Sequence, residues 1–320
     1  MPSRYLLRRL VQILPTVAGL LVLNFCIIHL APGDPVIALG GEHGDAAYYA
    51  FLRSRFGLDR PLSEQLLTYV SNVLRGDLGT SFVHGRSVAS VIAERVPATL
   101  LLVGTALALS SAAGVGLGIL AARLGRRPAG VTLDVAALLG YATPSFWLGQ
   151  IALLALAVGT GLFPVQGMTD ARHPQTGLAH LADVLHHLVL PAIVLAINEL
   201  ALTTRLVRTG LVEALGTDYV RAARAKGLPE GLVVRHALRN VMLPVITVIG
   251  SRAGMFLSGA VLVEVVFAWP GLGRLLLSSV LSRDYPVLLG MFLIVSMGVV
   301  LANLITDLAY ARFDPRIRYE

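Results

Sequence analysis

Residues 97–122 read Pro97-Ala-Thr-Leu-Leu-Leu-Val-Gly-Thr-Ala-Leu-Ala-Leu-Ser-Ser-Ala-Ala-Gly-Val-Gly-Leu-Gly-Ile-Leu-Ala-Ala122, 26 positions without one charged side chain. A helix needs about 20 apolar residues to cross a hydrocarbon layer ~30 Å thick, so this stretch is long enough to span a bilayer. Lipid offers backbone N–H and C=O groups no partner, and a helix satisfies them within itself. Comparable uncharged runs cover 10–30, 135–169 and 285–306. Two more, 188–207 and 241–263, are apolar but interrupted, the first by Glu199 and Arg205 and the second by Arg252. The expectation is an all-α polytopic membrane protein with six transmembrane helices. Composition agrees, at 55% hydrophobic, 14% charged and mean hydropathy +0.73.

Arginine and lysine placement sets the orientation. With the N-terminus inside, the inner side collects Arg4, Arg8 and Arg9, the 123–127 cluster, the basic residues from Arg205 to Arg239, and Arg312, Arg316 and Arg318. That is 16 of the 26 basic residues. Both termini are therefore expected in the cytoplasm. The formal net charge of +7 reflects this bias toward an anionic inner leaflet, not a nucleic-acid partner. Three parts follow: 1–31, an N-terminal segment and first span; 32–96, an external segment; and 97–320, a five-helix core. The apolar core of the first part is too long for a cleaved leader and no small-x-small site follows it, so it reads as a retained span. Cys26 is the single cysteine, so no internal disulfide forms.

Between the fourth and fifth runs lies a basic loop, 210–240. Thr217 or Asp218 can cap a short helix there. Gly227 is the expected left-handed terminator and Pro229 suits the first turn of a second helix, ending near Asn240. Ala222, Ala223 and Ala225 are small enough for a deep groove, and Arg221, Arg224 and Lys226 suit an acidic partner. Two readings stand on composition: an amphipathic helix on the anionic leaflet, or a handle for a cytoplasmic partner.

Other signals concern packing. Gly114/Gly118 and Gly250/Gly254 have the small-xxx-small spacing of close helix pairs. Pro144 permits a kink in the third span. Gly76-Asp-Leu-Gly79 reads as a turn, and Pro32-Gly-Asp-Pro35 breaks the first helix at the membrane surface. After the fifth span, Trp269-Pro-Gly271 stops the helix, with Phe267 and Trp269 suited to an interface, as a structural cap or a substrate gate.

Charges within spans cost on the order of 3 kcal/mol each near a helix centre. Glu199 and Arg252 therefore face a wet pathway or pair to fix helix register. Glu264, Asp134 and Asp307 sit near span ends and read as interfacial, with Glu264 also a pathway candidate. His173, His180, His186, His187 and Asp183 have too loose a spacing for a metal site, so none is assigned. The only lysine, Lys226, precedes Gly227-Leu228, so the chain holds no phosphate-binding Gly-Lys-Ser/Thr loop. The energy source lies elsewhere, in an ion gradient or a partner ATPase.

Arg221-Ala-Ala-Arg-Ala-Lys-Gly227, followed by Leu243-Pro244, resembles the Glu-Ala-Ala-x-x-x-Gly loop of permease subunits in binding-protein-dependent ABC importers, with Arg221 in place of the glutamate. The first span through His29-Leu-Ala-Pro-Gly-Asp-Pro35, Gly57-Leu-Asp-Arg-Pro61, Gly76-Asp-Leu-Gly-Thr-Ser81, Thr143-Pro-Ser-Phe-Trp147, Val266-Phe-Ala-Trp-Pro-Gly-Leu-Gly273 and Arg312-Phe-Asp-Pro-Arg316 are similar to the dipeptide, oligopeptide and nickel branch. The resemblance covers nearly the whole chain.

It implies a type I importer permease fold in the bacterial cytoplasmic (inner) membrane. A second homologous permease would complete the pathway, and two cytoplasmic ATPases, separate or fused, would hydrolyse ATP with Mg. An extracytoplasmic binding protein would deliver peptides or similar solutes. This chain would bind no cofactor itself. Its coupling helix would be 219–227, with Asp218, Tyr219, Arg221, Ala222, Ala223, Arg224, Lys226 and Gly227 at the contact. A secondary transporter would explain Glu199 and Arg252 but not the capped loop, and shows no inverted repeat. A membrane enzyme lacks any His-Glu-x-x-His or Gly-x-Ser-x-Gly motif.

Overall fold

The computed structural model describes residues 3–30, 45–55, 59–125 and 127–313. Helix α1 is Ser3–Leu30, α2 Ala46–Arg55, α3 Leu62–Leu74, α4 Val88–Leu124 and α5 Pro128–Ala142. Helix α6, Ser145–Ala152, continues as a π-helical turn through Leu153–Val158. Then come α7 (Gly177–Leu215), α8 (Asp218–Ala225), α9 (Glu230–Val266), α10 (Leu272–Leu281) and α11 (Tyr285–Phe313). The only extended pairing among the described residues is an isolated bridge, Thr80 to Ser87.

The spans thus appear as helices, and several outrun the membrane. Helix α7 has 39 residues and α4 and α9 have 37 each, against the ~20 that cross the hydrocarbon. Four helices are long and apolar enough to cross by themselves. The pair α5–α6 is apolar enough only when its two helices are taken together, and α1 adds an apolar stretch at Leu14–Ile27. The second helix of the 210–240 loop does not stop near Asn240: α9 is continuous through Pro244, so loop and fifth span are one rod.

The third span is broken rather than kinked. Helices α5 and α6 meet at 105°. Pro144 has no N–H to give and disfavours helical backbone at the residue before it. Thr143 accordingly sits at φ −83°, ψ 125°. The break is patched locally: Thr143 Oγ1 donates to Leu139 O at 2.7 Å, and Asn198 of α7 donates to Thr143 O at 3.3 Å.

Two compact units divide the chain. The first joins residues up to Pro97 with Arg274–Leu301. In it α1 lies on α3, with Phe25 and Tyr69 rings 6.3 Å apart and His29 Nε2 3.1 Å from Gln65 Oε1. The Gly76–Gly79 turn forms as expected, both glycines at positive φ and Asp77 accepting from the Gly79 N–H at 2.9 Å. It leads into a knot in which the buried Asp284 carboxylate accepts from the Ser81 hydroxyl and the Phe82 N–H. The second unit, Ala98–Gly273 with residues from Ala302 on, holds the larger core.

Within the second unit α4 and α7 touch through glycine. A Cβ on Gly114 would lie 2.7 Å from Thr203 Cβ, and one on Gly118 would lie 2.6 Å from Val207 Cβ and 2.8 Å from Thr204 O. The Gly114/Gly118 spacing therefore marks a close backbone approach, which gives apolar helices contact area that lipid cannot match. Gly254 of the other pair lies outside the residues whose side chains are described, as does Asp307; the 32–35 break is undescribed altogether. Gly118→Val is expected to cost about 1–3 kcal/mol through overpacking. Gly116→Val, with open space around its Cβ position, is expected to unfold like the parent in a thermal scan in detergent.

Candidate functional site

Helix α8 is short and its two faces differ sharply. Val220 is 1% exposed and Ala223, one turn on, is half-buried. Both join a cluster of Leu211 from α7 and Val233, Val234 and Ala237 from α9, with Ile119 and Ala122 of α4 against its edge. Burying a valine contributes about 1.5–3 kcal/mol, enough to seat a two-turn helix that would not hold by itself. The outer face carries Asp218, Tyr219, Arg221, Ala222, Arg224 and Lys226, all exposed. A cavity of about 310 Å³ lies beside Tyr219, between α7 and α9.

The ends of α8 follow from local chemistry. Thr217 holds the N-cap position, but its hydroxyl donates back to Ala214 O at 2.5 Å and does not cap. Asp218 instead places a negative charge in the first turn, where the helix dipole favours it, and pairs with Arg221 at 2.7 Å. At the other end Gly227 has φ +76°. Its N–H donates to Arg224 O at 2.9 Å and that of Leu228 to Ala223 O at 3.3 Å, the paired bonds of a Schellman stop. Arg224 then grips Glu230 of α9 through two bonds, 2.7 and 3.2 Å, across that turn. Helix α8 is thus tied to α7 by a two-residue link and to α9 by a turn and a salt bridge.

This arrangement corrects one detail of the loop reading. Ala223 does not line an outward groove; it packs inward. Ala222 and Ala225 are the small residues on the outer side. Val220 and Glu230 escaped the reading of the sequence, although an isolated apolar residue three before Ala223 was a visible sign of the seated face.

Deeper in the same unit, Arg252 Nη1 donates to Glu199 Oε1 at 2.6 Å, joining α9 to α7. Their side chains are 27% and 16% exposed, so the pair is shielded yet reaches open space. Asp134 is not merely interfacial: it pairs with Arg208, linking α5 to α7. An apolar cavity of about 410 Å³ opens between α5, α6 and α7, with Leu133, Leu148 and Ile197 in its wall.

Glu264 is neither interfacial nor at an open pathway. It is 0% exposed. Thr99 Oγ1 donates to its Oε1 at 2.6 Å and the Gly273 N–H to its Oε2 at 2.6 Å. The Thr99 hydroxyl also accepts from the Leu272 N–H at 2.7 Å. Gly271 has to be glycine because a Cβ there would fall 2.2 Å from the carboxylate. Phe267 and Trp269, read as interface anchors, are 3% and 0% exposed. The indole N–H of Trp269 donates to Ala98 O at 2.8 Å, which lets the ring be buried. The Trp-Pro-Gly segment folds back over Glu264, and the aromatic rings go under it.

The histidines serve local structure. His187 Nδ1 lies 2.9 Å from Asp183 O, His186 Nε2 lies 2.9 Å from Leu162 O, and Asp183 accepts from the Asp170 N–H at 2.8 Å. His180, His186 and His187 lie on the first turns of α7, beside the loop that precedes it. The Arg172 N–H and then the His173 ring hold the Asp170 carboxyl below its usual pKa. Among the described residues no three metal-ligating side chains gather.

Two family models match the chain: "Binding-protein-dependent transport system inner membrane component" over residues 114–319, and the N-terminal model of the same systems over 2–103. The chain belongs to this permease family. The permease is 40% identical to the dipeptide transport system permease protein DppB of Escherichia coli (strain K12), over 99% of both chains. It is 38% identical to the oligopeptide transport system permease protein AppB of Bacillus subtilis (strain 168), over 99% of this chain and 100% of that one. It is 40% identical to the glutathione transport system permease protein GsiC of Salmonella choleraesuis (strain SC-B67), over 99% of each. Its fold is similar to a chain of the MetNI methionine ABC transporter in an inward-facing crystal form, with TM-score 0.56 and 16% identity over 70% of this chain and 96% of that one. The permease is thus a multi-pass protein of the bacterial cytoplasmic membrane.

Thr99→Val in this permease keeps the shape of the side chain but removes the donor to Glu264 and the acceptor for Leu272. Each stranded group costs about 1–3 kcal/mol. Thermal unfolding in detergent is expected to show the loss, and Thr99→Ser is expected to restore most of it.

Proposed function

We propose that this permease forms half of the translocation pathway of an ATP-driven importer for peptides or small peptide-like solutes. A second homologous permease supplies the other half. The substrate class is supported by relatives of full length named for dipeptides, oligopeptides and glutathione. The observation that carries the coupling is the seating of α8: apolar face on the ends of α4, α7 and α9, charged face free. Two cytoplasmic ATPases, separate or fused, bear on that free face through Tyr219, Arg221, Ala222, Arg224 and Lys226. They hydrolyse ATP with Mg; this chain contributes no nucleotide site. Asp218, Ala223 and Gly227 shape and seat the helix. An extracytoplasmic binding protein presents the solute at the outer side.

A force on α8 has two outlets. Gly216 and Thr217 pass it to α7, and the Gly227 turn with the Arg224–Glu230 pair passes it to α9. Those helices are rods that cross the whole membrane, and the Glu199–Arg252 pair joins them part-way along. Glu199 and Arg252 border the pathway, where their shared charge offers polar contacts to a zwitterionic solute.

Reconstituted with its partners, the permease is expected to move peptide only when ATP is present and ion gradients are clamped at zero. Uptake driven by a gradient with no ATP would overturn the reading in favour of a secondary transporter. Ala222→Trp, on the free face, is expected to leave the melting temperature unchanged while cutting ATP-coupled transport about tenfold, the effect of losing ~1.4 kcal/mol at the docking contact. Ala223→Trp acts differently, lowering stability because it faces inward. Exchanging the charges in Glu199→Arg with Arg252→Glu is expected to restore the folded yield that either single change loses, but not transport. Full recovery of transport would show the pair to be a register device alone.

A further inference from the structure

We propose that a cavity of about 540 Å³ between α5 and α7 holds the phosphodiester headgroup of an anionic phospholipid from the inner leaflet. Its place along the helices comes from Arg208, whose Nη2 lies 3.5 Å from the Gly125 carbonyl in the link between α4 and α5. That link and the far end of α7 both lie on the arginine-rich cytoplasmic side, where the leaflet is negatively charged. One end of the cavity is apolar, with Leu138 and Leu202, and suits acyl chain. The other end is basic. Arg208 is tied to Asp134, which leaves one positive charge uncompensated, that of Arg205. Arg205 is exposed and makes no ion pair or hydrogen bond among the described residues.

Two buried polar atoms in the wall lack partners, which points to a ligand rather than to a generic basic patch. Thr204 is 2% exposed and its hydroxyl has no hydrogen-bond partner. Arg208 Nε is buried and also unsatisfied. A stranded buried donor is costly, and both of these groups can donate to phosphate oxygen. Arg205 supplies the charge-assisted contact that favours phosphate over a neutral group. The phospholipid reading uses all of these features at once: anion for Arg205, acceptor for Thr204 and Arg208, and hydrocarbon for the leucine wall.

The test is native mass spectrometry of the assembled importer released from membranes containing phosphatidylglycerol and phosphatidylcholine. The parent is expected to retain phosphatidylglycerol preferentially. A basic residue near the leaflet contributes ~1 kcal/mol, so Arg205→Gln is expected to weaken retention about fivefold. Arg205→Lys should keep most of it and Thr204→Val should lose part, while Arg172→Gln, on the outer side, should change nothing. Circular dichroism of each variant separates lipid loss from misfolding. Equal retention in the parent and Arg205→Gln overturns the proposal. So does indifference between the two lipids, or displacement of phosphatidylglycerol by millimolar inorganic phosphate or by free peptide, either of which would make this a small-anion site.

Discussion

The seating of α8 on the longer helices rests on the burial of Val220. A helix of two turns carries too few hydrogen bonds to persist in water, and α8 has three charged side chains on its free face, with Lys226 at its C-cap, pulling it toward solvent. Its position comes from one valine and one alanine set into the ends of three long helices. The Gly227 stop and the Arg224–Glu230 pair fix the angle at which it lies. Remove the valine seat and α8 stays joined to α7 and α9 by its links and the Arg224–Glu230 pair, but its apolar face no longer holds it against their ends.

The long helices are held to each other by two kinds of contact, each matched to lipid. Where α4 meets α7, glycine brings backbones within reach, so attraction comes from dense packing rather than from water exclusion. Elsewhere polar groups do the joining: Glu199 with Arg252, Asp134 with Arg208, and Glu264 with Thr99 and Gly273. Charge in an apolar bundle is costly when alone and specific when paired. The Glu264 knot shows the principle most completely, because carboxylate, hydroxyl and two backbone N–H groups satisfy one another under a buried tryptophan.

Much of the site could be read in advance where the chemistry is local. Gly227 had to end a helix, and Asp218 to begin one, for reasons confined to a few neighbouring residues. Gly114 and Gly118 announced a close approach without saying to what; Thr203 and Val207 are the answer. The misreadings share one cause, which is that exposure is not a property of a residue's neighbours in sequence. Trp269 and Phe267 look like interface anchors until the chain doubles back and covers them. Thr217 looks like a capping hydroxyl until Ala214 offers its carbonyl first. Pro144 signals a disturbance but not a 105° break, nor that Asn198 of another helix would reach the Thr143 carbonyl there.

Sequence alone established a helical membrane protein with a basic inner face, a short cytoplasmic helix ended by Gly227 and no nucleotide site of its own. Those conclusions rest on run length, charge placement and the presence or absence of short motifs, all of which are written along the chain. Tertiary structure alone decided which face of α8 is seated, which charges find partners, and that Glu264 lies at the centre of a buried knot. Such outcomes depend on helices far apart in sequence meeting at ångström distances, and a residue's partner there is set by packing that no single segment contains.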